Sequence, residues 1–571
     1  MVPGVLVERD LPAPMRDGVR LRADVYRPAG ARDLPVLLLR SPYDKRVAQT
    51  VVYQHPTWYA ANGYIVAVQD VRGRYASEGT FQPFTQERMD GADTIAWAAR
   101  LPGSNGRVGT YGFSYAGSAQ LLAAAERPPG LRCLAPVSSP ANLYAEWFYK
   151  GGVLRHAFVL SWAIRSLAIP DALRRGDEAA AGRLQRHLLG QPLLYWAGQE
   201  IRADLPSYVL EWMDHPTQDG FWDAGSVAAE ERADTPCLRV SGWYDTFLEG
   251  TLRDHALLAQ PPAAAPAAVP GQPVWSQRLV VGPWAHLPWR QVVGERDFGA
   301  AASASMDVEQ LAWFDAWLKD VPATSPEEGS VKLFVMGANR WRAADAWPPS
   351  EVHYEHWHLH SRGGANSLGG DGLLSRERPD EEPADVFVYD PTDPVPSAGG
   401  SSCCDERLAP MGPLDQTSVE IRNDVLVYTS APLSRDMEVT GPIDFTLFAA
   451  TDAPDTDWTA KLVVVDASNR PFNLCDGIVR ASLADCSDSS RPREPNRVHA
   501  YRIDVGATSN LFRRGERIRL EVSSSSFPAY APNPNTGGPA TLLAWISGRP
   551  ATQYVFHDRT HPSCVRLPVV D

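Results

Sequence analysis

A serine flanked by small residues lies between a predicted strand and a predicted helix. The stretch is GTYGFSYAG at 109–117, with Ser114 near its centre, and an Ala-rich helical segment follows it to residue 126. This order is typical of a nucleophile elbow, in which a sharp turn raises the serine hydroxyl above a sheet at a helix N-terminus. The pattern is not strict G-x-S-x-G, because Ala116 occupies the second glycine position. A glycine-rich turn without catalytic function is the alternative interpretation.

Two other residues can complete the chemistry that such a serine needs. Asp245 ends the β-prone run 237–245, and His286 ends the run 279–286. Like Ser114, both follow predicted strands, and the carboxyl ends of strands in open α/β sheets meet where sites assemble. A serine hydroxyl needs a base, which histidine supplies near neutral pH, and a carboxylate fixes the tautomer of that base. The order serine, aspartate, histidine is that of the α/β-hydrolase fold, although aspartates at strand ends also serve as turn residues.

Three histidines at alternating positions raise the separate question of a metal site. His356, His358 and His360 would lie on one face of a strand, where they could bind a metal ion. No matching acidic or cysteine pattern accompanies them. We therefore predict an exposed strand face, no metal and no other cofactor.

The elements before residue 140 alternate between strands and helices. Apolar runs at 36–39, 64–68 and 108–111 are separated by helical segments, which predicts a mostly parallel sheet with helices on both faces. From 141 to 232 we find no β-prone run, so we predict an all-helical cap inserted over the sheet edge. The predicted helices of this cap are 153–167, 172–189 and 207–214.

The region from about residue 331 has a different pattern. Helices nearly vanish there, and short strand candidates recur between Gly, Pro, Asn, Asp and Ser residues; the last candidate is 541–545. This pattern predicts a β-sandwich or jelly roll. We expect it to pack on the α/β domain and to help form the wall of the site.

Composition narrows the class of protein. The chain has 571 residues, too many for one hydrophobic core, and its net charge of −14 argues against a nucleic-acid partner. No apolar stretch is long enough to span a membrane, and the N-terminus lacks the features of a signal peptide. Seven cysteines, of which Cys403 and Cys404 are adjacent, do not indicate a disulfide framework. We therefore expect a reduced, cytoplasmic setting.

Several longer motifs carry a resemblance to a known family. They are SPY at 41–43, DVRGRYASEG at 70–79, SNGRVG at 104–109, GWYD at 242–245 and GPWAH at 282–286. With the serine stretch, they make the chain resemble the cocaine-esterase and X-prolyl dipeptidyl-peptidase group of α/β-hydrolases over nearly its whole length. The resemblance implies an α/β-hydrolase fold with an inserted all-helical cap and a C-terminal all-β jelly-roll domain. The expected boundaries are 1–140 and 235–345 for the hydrolase domain, 141–234 for the cap and 346–571 for the jelly roll.

The resemblance also implies roles for individual residues. Ser114 would be the nucleophile, His286 the general base and then the general acid, and Asp245 the residue that orients it. The family's oxyanion hole pairs a tyrosine hydroxyl with the backbone N–H after the serine, and the matching positions are Tyr43 and Tyr115. The residues that match the family's acyl pocket, with a place in the cap core as the open alternative, are Trp147, Trp162 and Phe247.

These inferences predict a serine hydrolase that cleaves acyl esters, with amides as an open option, through a catalytic triad and an acyl-enzyme. One alternative is an Xaa-Pro dipeptidyl-peptidase or an α-amino-acid ester hydrolase, which needs carboxylates for a free ammonium group; Glu146 and Glu249 are the candidates. A non-catalytic ligand-binding protein is the alternative of another class. The expected partners are a small-molecule ester or amide, no nucleic acid, no membrane and, as an open option, a second copy in a homodimer.

Overall fold

The computed structural model describes residues 4–190, 199–259, 276–287, 289–303, 306–321, 329–484, 494–538 and 547–570, so the strand predicted at 541–545 lies outside the described residues. The strands of the described chain are β1 (Val5–Pro14), β2 (Arg20–Pro28), β3 (Leu34–Ser41), β4 (Ile65–Asp70), β5 (Ser104–Phe113), β6 (Leu131–Val137), β7 (Tyr149–Lys150), β8 (Val153–Leu154), β9 (Cys237–Tyr244), β10 (Gln277–Ala285), β11 (Val292–Val293), β12 (Arg296–Asp297), β13 (Val331–Val335), β14 (Arg340–Ala344), β15 (His353–His360), β16 (Leu373–Ser375), β17 (Asp385–Tyr389), β18 (Leu426–Thr429), β19 (Met437–Thr451), β20 (Asp457–Val465), β21 (Pro471–Arg480), β22 (His499–Phe512), β23 (Arg517–Ser523), β24 (Ala551–Phe556) and β25 (Cys564–Val570). The helices are α1 (Pro56–Ala61), α2 (Glu87–Ala98), α3 (Tyr115–Ala125), α4 (His156–Trp162), α5 (Ile169–Arg174), α6 (Glu178–Gly190), α7 (Gln199–Asp204), α8 (Ser207–Asp214), α9 (Leu248–Leu258), α10 (Met306–Leu318) and α11 (Thr417–Glu420).

The first sheet has ten strands in the order β1-β2-β4-β3-β5-β6-β9-β10-β13-β14. The pairings from β4 to β13 are parallel, whereas β1, β2 and β14 join antiparallel at the two edges. Alternate residues of β3 pack in opposite layers: Val36 and Leu38 with α2 and α3, and Leu37 and Leu39 with α1 and α10. The predicted, mostly parallel sheet with helices on both faces is confirmed.

The cap between β6 and β9 consists mainly of α4 to α8, with π-helical turns at Tyr144–Phe148 and Ala163–Ala168. The prediction that it contains no strand is wrong at one place, because β7 and β8 form a hairpin around Gly151 and Gly152. Strands of two residues carry no alternating pattern, so the sequence could not indicate them. A turn at Gly176 also divides the helix predicted at 172–189 into α5 and α6.

In the part of the C-terminal domain that the structure describes, eleven strands, β15 to β25, form one sheet and pair antiparallel except for β16 with β18. The alternating burial along β19 is that of a strand with one face in a core. The exposed face predicted for the three alternating histidines of β15 is wrong at His358, which is buried. His356 is exposed, and His360 Nδ1 lies 2.8 Å from a carboxylate oxygen of Glu382.

The C-terminal domain packs on the α/β domain, as expected, and it also contacts the cap. Trp243 of β9 belongs to the same buried apolar cluster as Trp458 of β20. The N–H of Met336 donates to the carbonyl of Ser509 at 2.9 Å, which joins the end of β13 to β22. Because of these contacts, the β-domain is packed firmly against the α/β domain and is not a separately tethered module.

Among the described cysteines, Cys403 and Cys404 are joined by a disulfide in the β-domain loop that faces the cap. The expectation of a reduced setting did not include this bond. A disulfide between adjacent cysteines closes no long loop, so the spacing of the cysteines in the sequence did not indicate it. Within the described residues, none of the helices has the length and apolar character needed to cross a bilayer.

The cap hairpin offers a test of this docking. Gly151 and Gly176 both have positive φ, +54° and +75°, but a Cβ at Gly151 would lie 2.0 Å from the Ile478 carbonyl oxygen, whereas none of the described atoms lies within 4 Å at Gly176. We expect Gly176→Ala to cost about 1 kcal/mol of unfolding free energy from backbone strain. We expect Gly151→Ala to cost at least about 3 kcal/mol, because the clash adds to that strain. Urea unfolding measures both; equal losses would contradict docking of the hairpin on β21.

Candidate active site

Ser114 connects the end of β5 to the start of α3 in a backbone conformation that few residues adopt. Its φ is 59° and its ψ is −123°, and a positive φ of this kind in a non-glycine residue costs of order 1–3 kcal/mol. The turn is also closely packed, because a Cβ on Gly117 would lie 1.7 Å from Ser139 Oγ. The strand, strained serine and helix form the elbow predicted from the sequence, with Ala116 in the second glycine position.

The ring of His286 bridges the other two residues predicted at strand ends. Its Nδ1 lies 2.9 Å from Asp245 Oδ1, and its Nε2 lies 3.2 Å from Ser114 Oγ. Because an ionised carboxylate can only accept, Nδ1 carries the proton and Nε2 is left to accept from the serine hydroxyl. The ring is held by Phe113 at 4.6 Å and by Phe247 at 5.1 Å between centroids. This arrangement can remove a proton from the serine.

The carboxylate of Asp245 is buried, with 1 % of the residue exposed. Ser241 Oγ donates to its Oδ2 at 2.8 Å, and the backbone N–H of Phe247 donates to its Oδ1 at 3.1 Å. Burial acts to raise the pKa of Asp245, but the hydrogen bonds from His286 and from the Phe247 N–H help to hold that pKa below its ordinary value. The group therefore stays ionised, which its role as an acceptor for Nδ1 requires. Sequence reasoning missed Ser241, since a serine within a strand carries no signal of this contact.

The two tyrosines predicted for the oxyanion hole lie side by side but make different contacts. Tyr115 is the first residue of α3, so its backbone N–H has no acceptor within the helix. Its hydroxyl donates to Glu87 and accepts from the N–H of Phe84, which leaves only the backbone for catalysis. The ring of Tyr43 lies edge-on to that of Tyr115, with centroids 6.3 Å apart, and its hydroxyl accepts from Trp162 Nε1 at 2.8 Å.

The three predicted pocket residues lie in one aromatic cluster beside the histidine. Phe247 stacks on Trp147 at 4.3 Å, and Trp147 lies 5.1 Å from Trp162. Phe158, which the sequence analysis did not single out, contacts Phe247 at 5.4 Å. All four are buried, so the cluster is at once core of the cap and the apolar neighbour of His286.

The two carboxylates considered as ammonium ligands are already paired with cations. Glu249 forms an ion pair with Lys150, and its Oε2 lies 3.8 Å from Arg155 Nη2. Burial acts to raise the pKa of Glu249, but the charges of Lys150 and Arg155 hold that pKa below its ordinary value. Glu146 forms an ion pair with Arg253 and accepts from the N–H of Asn142 at 3.0 Å. Neither carboxylate is left without a counter-ion.

A strained serine after a central parallel strand, with an aspartate and a histidine after later strands of the same sheet, defines the α/β-hydrolase class. Residues 17–288 match the family described as X-Pro dipeptidyl-peptidase (S15 family). Residues 326–566 match the X-Pro dipeptidyl-peptidase C-terminal non-catalytic domain. The chain belongs to this cocaine-esterase and X-Pro dipeptidyl-peptidase family, and it is a serine ester hydrolase.

Three relatives illustrate the similarity. The chain is 36 % identical to cocaine esterase of Rhodococcus sp. (strain MB1 Bresler), over 99 % of this chain and 98 % of that protein. An aminopeptidase structure from a marine sediment Thaumarchaeota archaeon is 26 % identical, with a TM-score of 0.80, over 100 % of this chain and 97 % of that one. An α-amino acid ester hydrolase structure is 23 % identical, with a TM-score of 0.76, over 99 % and 97 % of the two chains, and it shows the shared fold. Since the family is one of hydrolases, a non-catalytic ligand-binding protein is not supported.

The Asp245 contact gives a direct test of the site. We expect Asp245→Asn to lower kcat by about 10⁴-fold, because an amide can donate to Nδ1 and so select the tautomer whose Nε2 cannot accept the serine proton. Asp297→Asn, an exposed acid on β12, is the matched control, and we expect wild-type kcat for it. Ester hydrolysis and thermal unfolding are measured for both. An Asp245→Asn enzyme with more than about a tenth of wild-type kcat would contradict the assignment.

Proposed function

We propose that Ser114, His286 and Asp245 form the catalytic triad of an acyl-ester hydrolase that works through an acyl-enzyme. The observation that carries the proposal is the single imidazole that bonds Asp245 Oδ1 through one nitrogen and faces Ser114 Oγ with the other, at 2.9 and 3.2 Å. Serine, base and orienting acid are the parts that nucleophilic acyl transfer needs.

In the acylation step, Ser114 Oγ attacks the ester carbonyl while its proton moves to His286 Nε2. The carbonyl oxygen becomes an oxyanion, which the Tyr43 hydroxyl and the Tyr115 N–H stabilise; removing one such donor typically lowers kcat by about 10²–10³-fold. The intermediate then collapses, and the leaving alcohol takes the proton from Nε2. In deacylation, a water molecule gives a proton to Nε2 and its oxygen attacks the acyl-enzyme carbonyl. When the second tetrahedral intermediate collapses, the bond from the carbonyl carbon to Ser114 Oγ breaks, Oγ takes the proton back from Nε2, and the carboxylic acid is released.

The acyl group that this site favours is apolar and uncharged. Trp147 and Phe247 lie beside His286 and offer aromatic surface, and a buried ammonium would need an unpaired carboxylate. Glu249 and Glu146 are both already ion-paired. We therefore infer simple carboxylic esters with bulky or aromatic acyl groups as the substrate class. The cocaine esterase relative, by its name, also acts on an ester.

A second candidate is hydrolysis of α-amino-acid esters or amides. Two structural relatives named as an aminopeptidase and an α-amino acid ester hydrolase favour it. In this case Glu249 or Glu146 would exchange its present cation for the substrate ammonium.

A matched pair of substrates separates these candidates. Phenyl butyrate and phenyl 2-aminobutyrate share the leaving group and differ by the ammonium. We expect kcat/KM to be at least about 100-fold higher for the butyrate, since an unpaired buried ammonium costs several kcal/mol. Ser114→Ala serves as the blank and should reduce both rates to background.

Faster turnover of the amino ester would contradict the proposed substrate class. A parallel assay with a Gly-Pro anilide tests the dipeptidyl-peptidase alternative.

The variant Glu249→Gln tests whether this carboxylate binds the substrate ammonium. A carboxylate that holds the ammonium would lower kcat/KM selectively for the amino ester, whereas a purely structural ion pair would change both esters alike.

A further inference from the structure

The indole of Trp162 makes a hydrogen bond that a pocket wall does not require. Its Nε1 lies 2.8 Å from the hydroxyl oxygen of Tyr43. An indole nitrogen can only donate, so the tyrosine oxygen must accept in this contact. A tyrosine hydroxyl has one proton, which rotates about the C–O bond unless an external contact fixes it. The Trp162 contact therefore excludes the orientations in which the Tyr43 proton points toward the cap.

The donor is held rigidly. Trp162 is 2 % exposed, and its ring stacks on Trp212 with centroids 5.7 Å apart and an interplanar angle of 18°. The ring of Trp147 also contacts it, with centroids 5.1 Å apart and the rings inclined by 60°. A side chain packed in this way has no second rotamer available without repacking the cap.

The loop that carries Tyr43 is tied to the same part of the cap. Arg74 is 1 % exposed, and its Nε donates to the carbonyl of Pro42 at 3.0 Å. Its guanidinium also donates to the carbonyl of Ser166 at 3.3 Å and forms an ion pair with Asp171. Pro42 precedes the tyrosine, and Ser166 lies one helical turn after the tryptophan. Arg74 therefore helps to fix the separation between the two rings.

The proton of Tyr43 is left for an acceptor outside the protein. Among the described residues, Tyr43 oxygen accepts from Trp162 and no group accepts its proton. Burial raises the pKa of the Tyr43 hydroxyl well above its ordinary value, so the proton is retained at any working pH. Tyr115, whose backbone N–H follows the nucleophile, is the edge-on neighbour of this ring.

We propose that Trp162 is a positioning residue of the oxyanion hole. Its indole N–H donates to a lone pair of the Tyr43 oxygen and thereby directs the tyrosine proton at the oxyanion. The inference rests on the proposed function, in which Tyr43 is an oxyanion donor. It adds that the cap takes part in transition-state stabilisation as well as in binding the acyl group. A hydroxyl that accepts one hydrogen bond also becomes a stronger donor for the next.

A double-mutant cycle tests this role. We expect Tyr43→Phe to lower kcat by about 10²-fold or more and Trp162→Phe to lower it by about tenfold, the equivalent of one hydrogen bond. In the Tyr43→Phe background, Trp162→Phe should change kcat by less than about twofold, because the proton it directs is gone. The loss should be equal for acetyl and benzoyl esters, whereas the loss of a pocket wall would change KM and the ratio between the two esters.

Trp147→Phe is the matched control. It removes an equally buried indole from the same cluster, and Trp147 Nε1 has no acceptor among the described residues. Its effect should depend on the size of the acyl group and should be additive with Tyr43→Phe. If the Trp162 cycle is additive, or if the Trp147 cycle shows the same coupling, the inference is wrong. If Tyr43→Phe leaves kcat unchanged, the oxyanion assignment itself is wrong. If Tyr43→Phe lowers kcat as expected but the Trp162 cycle is additive, the inference fails and the proposed function stands.

An isosteric replacement covers the outcome in which Trp162→Phe fails to fold. Site-specific incorporation of 3-benzothienylalanine at position 162 keeps the bicyclic ring and replaces its N–H with sulfur. We expect native thermal unfolding, unchanged KM and about a tenfold loss of kcat. Unchanged kcat in this folded variant would overturn the inference.

Discussion

The imidazole of His286 must reach Ser114 and Asp245, which follow two other strands of the sheet. The arrangement of the sheet edge follows from that requirement. β5 and β10 are separated by β6 and β9, a distance of about 14 Å at the usual strand spacing, so His286 must leave its strand toward the serine. The pairing of β10 with β9 is irregular here: Gly282 faces Gly242, but Ala285 faces Tyr244. The extra residue on β10 brings His286 next to Asp245. A Cβ at Gly242 would lie 2.1 Å from the Trp284 carbonyl oxygen, which explains why this motif has glycine there.

The site also depends on contacts between all three parts of the chain. Lys150 of the cap pairs with Glu249 of the hydrolase domain and donates to the carbonyl of Asp476, in the β-domain, at 2.7 Å. The backbone of Asp245 forms a β-bridge with Ser402 of the β-domain. The carboxylate that orients His286 is therefore held by the domain that follows as well as by its own strand. Glu249, the candidate for ammonium binding, joins the cap to the α/β domain through its ion pair with Lys150.

Much of this arrangement was predictable because it depends on local patterns. Buried parallel strands have continuous apolar runs, and the motifs around Ser114, Asp245 and His286 stand where those strands end. Contacts between distant segments left no such pattern, and the bonds from Ser241 to Asp245 and from Trp162 to Tyr43 became visible only in the structure. Strands were missed for physical reasons too. β7 and β8 are too short to alternate, and β25, which lies beyond the last predicted strand at 541–545, contains a proline that interrupts the apolar pattern.

Covalent labelling measures most directly whether Ser114 is the nucleophile that His286 activates. A fluorophosphonate labels a serine whose hydroxyl is activated by a neighbouring base. We expect one label per chain, located by peptide mass mapping at Ser114, with loss of esterase activity in proportion to labelling. Labelling at another residue, or full esterase activity after complete labelling of Ser114, would contradict it.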